Sequence, residues 1–191
     1  MNDIQNAIKI FSQGGIVIFP TDTAFGIGCR IDDEKAIGRL LKLRKRPEYK
    51  ATPVLVSGLE MAQDYVCPIH PGVREKLIKL YWPGALTIVL PCQRTKVPKL
   101  VRGNSGNLGV RMPKSALCLE IISQVGVPIL GPSANFHGAP TPFRFQDLDR
   151  ELVRLVDFVV ASGECSSKQA STVIDCSVAP WKILRQGAVR I

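Results

Sequence analysis

In Gly14-Gly15-Ile16-Val17-Ile18-Phe19-Pro20-Thr21-Asp22-Thr23, four large apolar residues stand between a glycine pair and a proline. The run is too short for a helix and apolar on both faces, and three of its members are β-branched. It reads as a buried strand. Pro20 cannot donate to a sheet ladder and stops the run. Upstream, Asp3 to Ser12 sets Ile4, Ala7, Ile8 and Phe11 at helical spacing, and Gly14-Gly15 ends that helix. Downstream, the polar Thr21-Asp22-Thr23 follows the strand directly, where open α/β sheets hold ligands.

The same alternation continues along the chain. Asp32 is placed to cap a second helix whose apolar stripe is Ala36, Ile37, Leu40 and Leu41, ending before Pro47. Pro53 to Val56 reads as a strand, Leu59 to Val66 as a short helix, and Gly72 to Tyr81 as a helix closed by Pro83-Gly84. Leu86 to Leu90 and Leu108 to Val110 read as strands, Ser115 to Val125 as a serine-capped helix, and Val127 to Leu130 as a strand. Phe145 to Leu155 reads as helical, followed by strands at Val156 to Val160, Thr172 to Ile174 and Ile183 to Leu184. Cys92 to Asn107 has no clear period and contains Pro98, Gly103 and Gly106, so it reads as a long loop of the kind that is usually functional. The expected architecture is α/β: a single domain over residues 1–191, with a twisted mixed β-sheet of about seven strands flanked by helices.

A chain of 191 residues buries enough surface to need no disulfide or metal staple. Hydrophobic residues at 46% and charged residues at 21% fit a globular protein, and no apolar run is long enough to span a bilayer. The Met1-Asn2-Asp3-Ile4 start lacks the basic-then-apolar layout of a signal peptide, so a cytoplasmic protein without membrane contact is expected. The 6 cysteines (Cys29, Cys67, Cys92, Cys118, Cys165, Cys176) never form a C-x-x-C pair, and with His70 and His137 they offer no local zinc-ligand spacing. They read as small buried hydrophobes in a reducing compartment.

Charge points more sharply. Lys+Arg total 25 against 16 Asp+Glu, and the excess is clustered. Arg94 to Lys114 holds 6 basic residues and no acid, Cys176 to Ile191 holds 3 and no acid, and Lys42, Arg44, Lys45, Arg46 and Lys50 are opposed only by Glu48. Such clusters suit an anionic partner, polyphosphate or nucleic acid. Neither a Walker loop nor a Rossmann fingerprint is present, so a nucleotide would be held by side chains converging from separate loops. The candidates are hydroxyls and amides (Thr21, Thr23, Ser133, Asn135, Thr141, Ser171, Thr172) together with Arg44, Arg46, Lys50, Arg111 and Arg185. His70 precedes a helix and reads as a cap, and His137 reads as an exposed turn residue. Without a nucleophile–base pair, the implied chemistry is charge stabilisation and positioning, as in phosphoryl or nucleotidyl transfer.

Seven ordered segments carry a resemblance. They are Phe19-Pro-Thr-Asp-Thr-Ala-Phe-Gly-Ile-Gly28, Leu43-Arg-Lys-Arg-Pro47, Trp82-Pro-Gly-Ala-Leu-Thr-Ile-Val89, Gly109-Val-Arg-Met-Pro113, Pro132-Ser-Ala-Asn135, Ser171-Thr-Val-Ile-Asp175 and Leu184-Arg-Gln-Gly187. On these the chain resembles the YrdC-like family of threonylcarbamoyl-AMP synthases, in its short single-domain form, and a YrdC-like fold is implied. The resemblance implies that L-threonine, bicarbonate or CO2, and ATP with Mg²⁺ give threonylcarbamoyl-adenylate and diphosphate. That product would feed a separate tRNA threonylcarbamoyl transferase complex, which modifies tRNA beside the anticodon.

By the same resemblance, Arg44 and Arg46 with Ser133 and Asn135 fall on the family's K-x-R and S-x-N constellation and are the catalytic candidates. Arg44 and Lys45 both remain open as the first basic residue. ATP contacts are expected from Arg46, Ser133, Asn135, Asn107, Thr141 and Arg185, with Lys50 and Thr52 competing for one further contact. Threonine contacts are expected from Thr23, Arg111 and Ser171, the arginine fork suiting a carboxylate. A non-catalytic RNA-binding module gripping tRNA phosphates is the alternative from another class, although aromatics at 6% and the absence of an RNP-like pattern speak against it. Weak RNA binding by a synthase is compatible with both.

Overall fold

The computed structural model describes residues 2–191. Its strands are β1 (Val17–Pro20), β2 (Phe25–Gly28), β3 (Val54–Leu55), β4 (Leu86–Pro91), β5 (Asn107–Arg111), β6 (Ile129–Leu130), β7 (Phe158–Val159), β8 (Thr172–Asp175) and β9 (Lys182–Arg185). A three-stranded ladder has the order β2-β1-β7, and a six-stranded one the order β6-β3-β5-β4-β8-β9. Both are mixed: β1 runs antiparallel to β2 and parallel to β7, and β4 runs antiparallel to β5 and parallel to β8. The α/β expectation holds, with nine named strands among the described residues in two ladders in place of about seven in one.

A seam joins the ladders. Leu130 N–H donates to Cys29 O at 2.9 Å, Ile27 N–H to Pro132 O and Ile31 N–H to Pro128 O at 3.0 Å each. Isolated bridges Gly26↔Ser133 and Arg30↔Ile129 extend the same line of contact. Strand β2 escapes a sequence reading because two of its four residues are glycines, which strands disfavour. Geometry explains them: a Cβ at Gly28 would overlap the Leu130 carbonyl oxygen, and one at Gly26 would crowd the Phe19 ring.

The apolar run that announces β1 is buried on both faces. Ile16 and Ile18 enter a large core with Ile37, Leu40 and Leu41 of helix α2 (Glu34–Leu43). Val17 and Phe19 enter a second core with Ala7 and Phe11 of helix α1 (Asp3–Ser12) and with Ile121 and Ile122 of the helix Ala116–Val125. A strand covered on both sides gains nothing from polar alternation, which is why the run is continuous.

Strands β4, β5 and β8 do alternate. Leu86, Ile88, Leu90, Leu108, Val110 and Ile174 face the large core. Their neighbours Thr87, Val89, Asn107, Gly109, Arg111, Val173 and Asp175 face an open cleft on the other side.

Several local expectations are refined. Asp33, not Asp32, caps α2, accepting from Ala36 N–H at 2.9 Å, while Asp32 pairs with Arg30 at 2.7 Å. Residues 71–81 form a helix with a π-helical turn at Arg74–Ile78, started by His70, whose Nδ1 accepts from Gly72 N–H at 3.0 Å. The segment read as one loop carries a short helix, Lys99–Arg102. The helix expected over 145–155 is split into a 3-10 turn, Phe145–Asp147, and a helix, Arg150–Leu155, because Asp149 caps a fresh start.

Gly28→Ala is expected to lower stability by about 2–3 kcal/mol by forcing the β2–β6 seam apart. A urea unfolding series at neutral pH checks this, and Gly58→Ala, where the backbone is extended and an added Cβ meets nothing within 4 Å, serves as the comparison.

Candidate active site

The cleft has a volume of about 490 Å³ and is walled by β2, β4, β5 and β8, by the loops after β1 and β6, and by the segment after α2. Two groups of polar side chains converge in it.

The first group is cationic and, among the described residues, has no acidic partner. Arg44 caps the C-terminus of α2 and is only 3% exposed. Its Nε donates to Asn135 O at 3.0 Å and its Nη2 to Asn135 Oδ1 at 3.3 Å, while the buried Nη1 has no partner. Arg46 donates Nη2 to Ala51 O at 2.6 Å, and its buried Nε is also unpaired. Thr52 Oγ1, buried beside them, is the third orphan. Neither arginine makes an ion pair with an acid among the described residues.

Burial and the neighbouring Arg46 push Arg44 down to about 10, and burial lowers Arg46 as well; both stay charged at neutral pH. Buried donors without acceptors cost about 1–3 kcal/mol each, a cost that an acceptor from outside the chain, solvent or ligand, would offset.

The turn after α2 sets this geometry. Lys45 takes a left-handed φ of 52°, which carries its side chain onto the Phe136 ring, 4.6 Å from the centroid. Arg44 and Arg46 therefore both face the cleft, and Lys45 does not. Of the competing pair, Thr52 lines the cleft and Lys50 lies outside its lining. Asn135 also stands behind the lining. It accepts from Ser133 Oγ at 2.6 Å and donates to Ala139 O at 2.5 Å, so it anchors Arg44 and Ser133 together.

The second group is built on a buried ion pair. Arg111 and Asp22 are 5% and 7% exposed and are directly bonded. Arg111 also donates Nε to Gly84 O at 3.0 Å and Nη1 to Thr23 Oγ1 at 2.7 Å. Thr21 closes the turn that presents Thr23: its hydroxyl donates to Ala24 O at 2.7 Å and accepts from Thr23 N–H at 3.1 Å. Ser171 Oγ lies 2.9 Å from Thr87 Oγ1 and accepts from Arg185 Nη2 at 3.1 Å. Arg185 also forks onto Ser171 O and, like Arg44, pairs with no acid among the described residues.

The family model described as "Telomere recombination" (Sua5, YciO and YrdC) matches residues 9–187. The chain belongs to this family. Among curated relatives, the threonylcarbamoyl-AMP synthase of Pyrococcus abyssi is 32% identical over 97% of this chain and 54% of its own length. That of Xanthomonas euvesicatoria pv. vesicatoria is 30% identical over 90% of this chain and 91% of its own. A crystal structure of P. abyssi Sua5 complexed with L-threonine is 31% identical with a TM-score of 0.88, covering 96% of this chain and 54% of that one. Crystalline E. coli YciO is 25% identical with a TM-score of 0.85, covering 96% and 88%. The chain spans about half the length of the Bacillus subtilis and P. abyssi relatives.

Of the residues expected from the sequence and from resemblance to this Sua5/YciO/YrdC family, Thr23, Arg44, Arg46, Thr52, Asn107 and Arg111 share the cleft. Ser133, Thr141, Ser171 and Arg185 share it too. Asp22 and Asp175 were missed. Asp175 had a readable signal, since it continues the alternation Ser171, Val173, Asp175 on one face of β8. Its Oδ1 accepts from Ser177 Oγ at 2.6 Å, and Ser177 in turn accepts from Asn107 Nδ2 at 2.9 Å. Asp22 lies in the polar segment singled out after the first strand, but its pairing with a residue 89 positions away is invisible locally.

Asp22→Ala is expected to destabilise the fold by about 3–5 kcal/mol by leaving the Arg111 charge buried and unpaired. Chemical denaturation checks the prediction, and in the double variant Asp22→Ala/Arg111→Met the loss should largely disappear.

Proposed function

We propose that this chain is a threonylcarbamoyl-AMP synthase, joining L-threonine, bicarbonate or CO2, and ATP into threonylcarbamoyl-adenylate with release of diphosphate. The observation that carries the reading is the trio of buried, unpartnered donors on Arg44, Arg46 and Thr52, set in the same cleft as the Thr23–Arg111–Ser171 group. Support also comes from relatives named for this activity.

The threonine nitrogen adds to the carbon of CO2 or bicarbonate, losing a proton and, from bicarbonate, hydroxide. A carbamate oxygen then attacks the α-phosphorus of ATP, and the bond to the bridging oxygen breaks as diphosphate leaves. Two anions must approach and a more anionic group must depart, so uncompensated guanidinium groups are the chemistry required. Arg44 and Arg46, with Ser133 and Thr52, take the polyphosphate. Thr141, Asn107 and Arg185 complete the ATP contacts. Thr23, Arg111 and Ser171 take threonine, with Asp22 fixing the Arg111 fork and Asn135 fixing Arg44.

Mg²⁺ fits as a passenger on the triphosphate. The lining carries one carboxylate, Asp175, whose second oxygen makes no hydrogen bond among the described residues. One carboxylate plus phosphates is an ordinary Mg²⁺ environment, and the ion would neutralise phosphate charge. No described helix is long and apolar enough to cross a membrane. The proposal is completed by a single domain working in the cytoplasm, by a transferase complex that consumes the adenylate, and by weak RNA contact through the basic clusters.

Diphosphate release from ATP should require both L-threonine and bicarbonate, each omitted in turn, and excess EDTA should suppress it. Arg46→Ala and Asn135→Ala are expected to lower the rate by about 100-fold or more while the folded far-UV spectrum is kept. Release independent of threonine, or wild-type rates in Arg46→Ala, would overturn the reading.

A further inference from the structure

Strand β4, Leu86–Pro91, carries one polar side chain, that of Thr87. It faces the cleft two residues before Val89, which lines the same cleft with nearly the same shape and no hydroxyl. Shape alone therefore does not require threonine at position 87. The residue is only 4% exposed, and Thr87 Oγ1 has one hydrogen-bond partner among the described residues, Ser171 Oγ at 2.9 Å. Both side chains are held in place. Thr172 N–H donates to Ala85 O at 3.0 Å and Thr87 stands opposite Val173, which fixes the register of β8 against β4. A Cβ at Gly109 of β5 would lie 3.5 Å from Thr87 Cγ2, so the stiff, branched Thr87 side chain turns its methyl group toward β5 and its hydroxyl toward Ser171.

Counting hydrogens decides which oxygen donates. A hydroxyl has one hydrogen to give and two lone pairs to fill, whereas a guanidinium only donates. Ser171 Oγ already accepts from Arg185 Nη2 at 3.1 Å. The contact between Ser171 and Thr87 uses one of their two hydroxyl hydrogens and leaves the other without a partner among the described residues, in the wall of the cleft. We propose that Thr87 is a positioning residue for the synthase reaction. Its hydroxyl donates to Ser171 and, with Arg185, fills both lone pairs of that oxygen, so that the Ser171 hydrogen is committed to an acceptor oxygen of L-threonine. This rests on the synthase reading above: once Ser171 gives its hydrogen to the substrate, only the Thr87 hydrogen is left for the 2.9 Å contact. Two accepted hydrogen bonds also polarise the Ser171 O–H and make it the stronger donor. Thr87 spends its one hydrogen on Ser171 and acts on the substrate only through it.

The test is a double-mutant cycle on the affinity of the intact protein for L-threonine, by calorimetry at neutral pH. Thr87→Val keeps the branched shape and removes the hydroxyl; it is expected to weaken L-threonine about 5-fold, and Ser171→Ala about 10-fold. Adding Thr87→Val to Ser171→Ala should cost nothing further, because the hydroxyl through which Thr87 acts is gone. Thr87→Ser, which keeps the hydroxyl and loses the methyl group, should stay within about 2-fold of wild type. A packing role would show the reverse pattern, with equal losses in both backgrounds and no rescue by the smaller serine. Wild-type affinity in Thr87→Val would overturn the proposal, as would an undiminished loss in the Ser171→Ala background or a failure of Thr87→Ser to rescue. These outcomes leave the synthase reading standing, since the wild-type protein still binds L-threonine in each. A wild-type protein that binds no L-threonine would overturn the synthase reading and the role of Thr87 together.

Discussion

The close approach of β2 to β6 is the constraint on which the rest depends. At Gly28 the strand backbone lies so near the Leu130 carbonyl that no side chain fits, and backbone hydrogen bonds lace the two ladders along that line. The loop after β1 carries Thr21, Asp22 and Thr23, and the segment after β6 carries Ser133 and Asn135. Only because the seam closes do these two segments face one cleft, with Gly26 bridged to Ser133 at its floor. The glycines in Phe25-Gly26-Ile27-Gly28 are thus a packing requirement before they are anything else.

Once the cleft exists, its two arginine sites are handled in opposite ways. Arg111 is neutralised by a buried carboxylate and tied to Gly84 O and Thr23, so its cost of burial is offset within the fold. Arg44 and Arg46 are given only neutral oxygens, Asn135 and Ala51, and their remaining donors are left without partners. A neutral oxygen orients a guanidinium without spending its charge. The first arrangement makes a rigid wall; the second keeps a concentrated positive field, the feature on which the proposed polyphosphate site rests.

What the sequence made legible follows the range of each interaction. Helices α1 and α2 and the strand announced by Ile16 to Phe19 are written in local periodicity and were read correctly in type, because nearest-neighbour burial decides them. Strand β2 was hidden, since its glycines answer to Phe19 and to the Leu130 carbonyl, which local propensity cannot see. The cleft residues were legible through ordered motifs, whereas the choice of Arg44 over Lys45 was not. That choice is made by one left-handed residue, Lys45, whose side chain finds an aromatic ring 91 positions away.

The same distinction bears on the proposed chemistry, which needs no acid–base pair. The polar groups of the site fall into fixed relays: Thr21 holds the turn of Thr23, Asp22 holds Arg111, Ser177 links Asp175 to Asn107, and Asn135 holds Arg44 and Ser133. Each relay removes rotamer freedom from a group that would otherwise have to be ordered at the moment of binding. Joining two anions demands above all that cations be in place before the reactants arrive, because their reorganisation would add to the barrier. A fold that commits its buried hydrogen bonds to orienting uncompensated charge meets that demand of the proposed reaction, and the orphaned Arg44, Arg46 and Thr52 atoms fit the same reading.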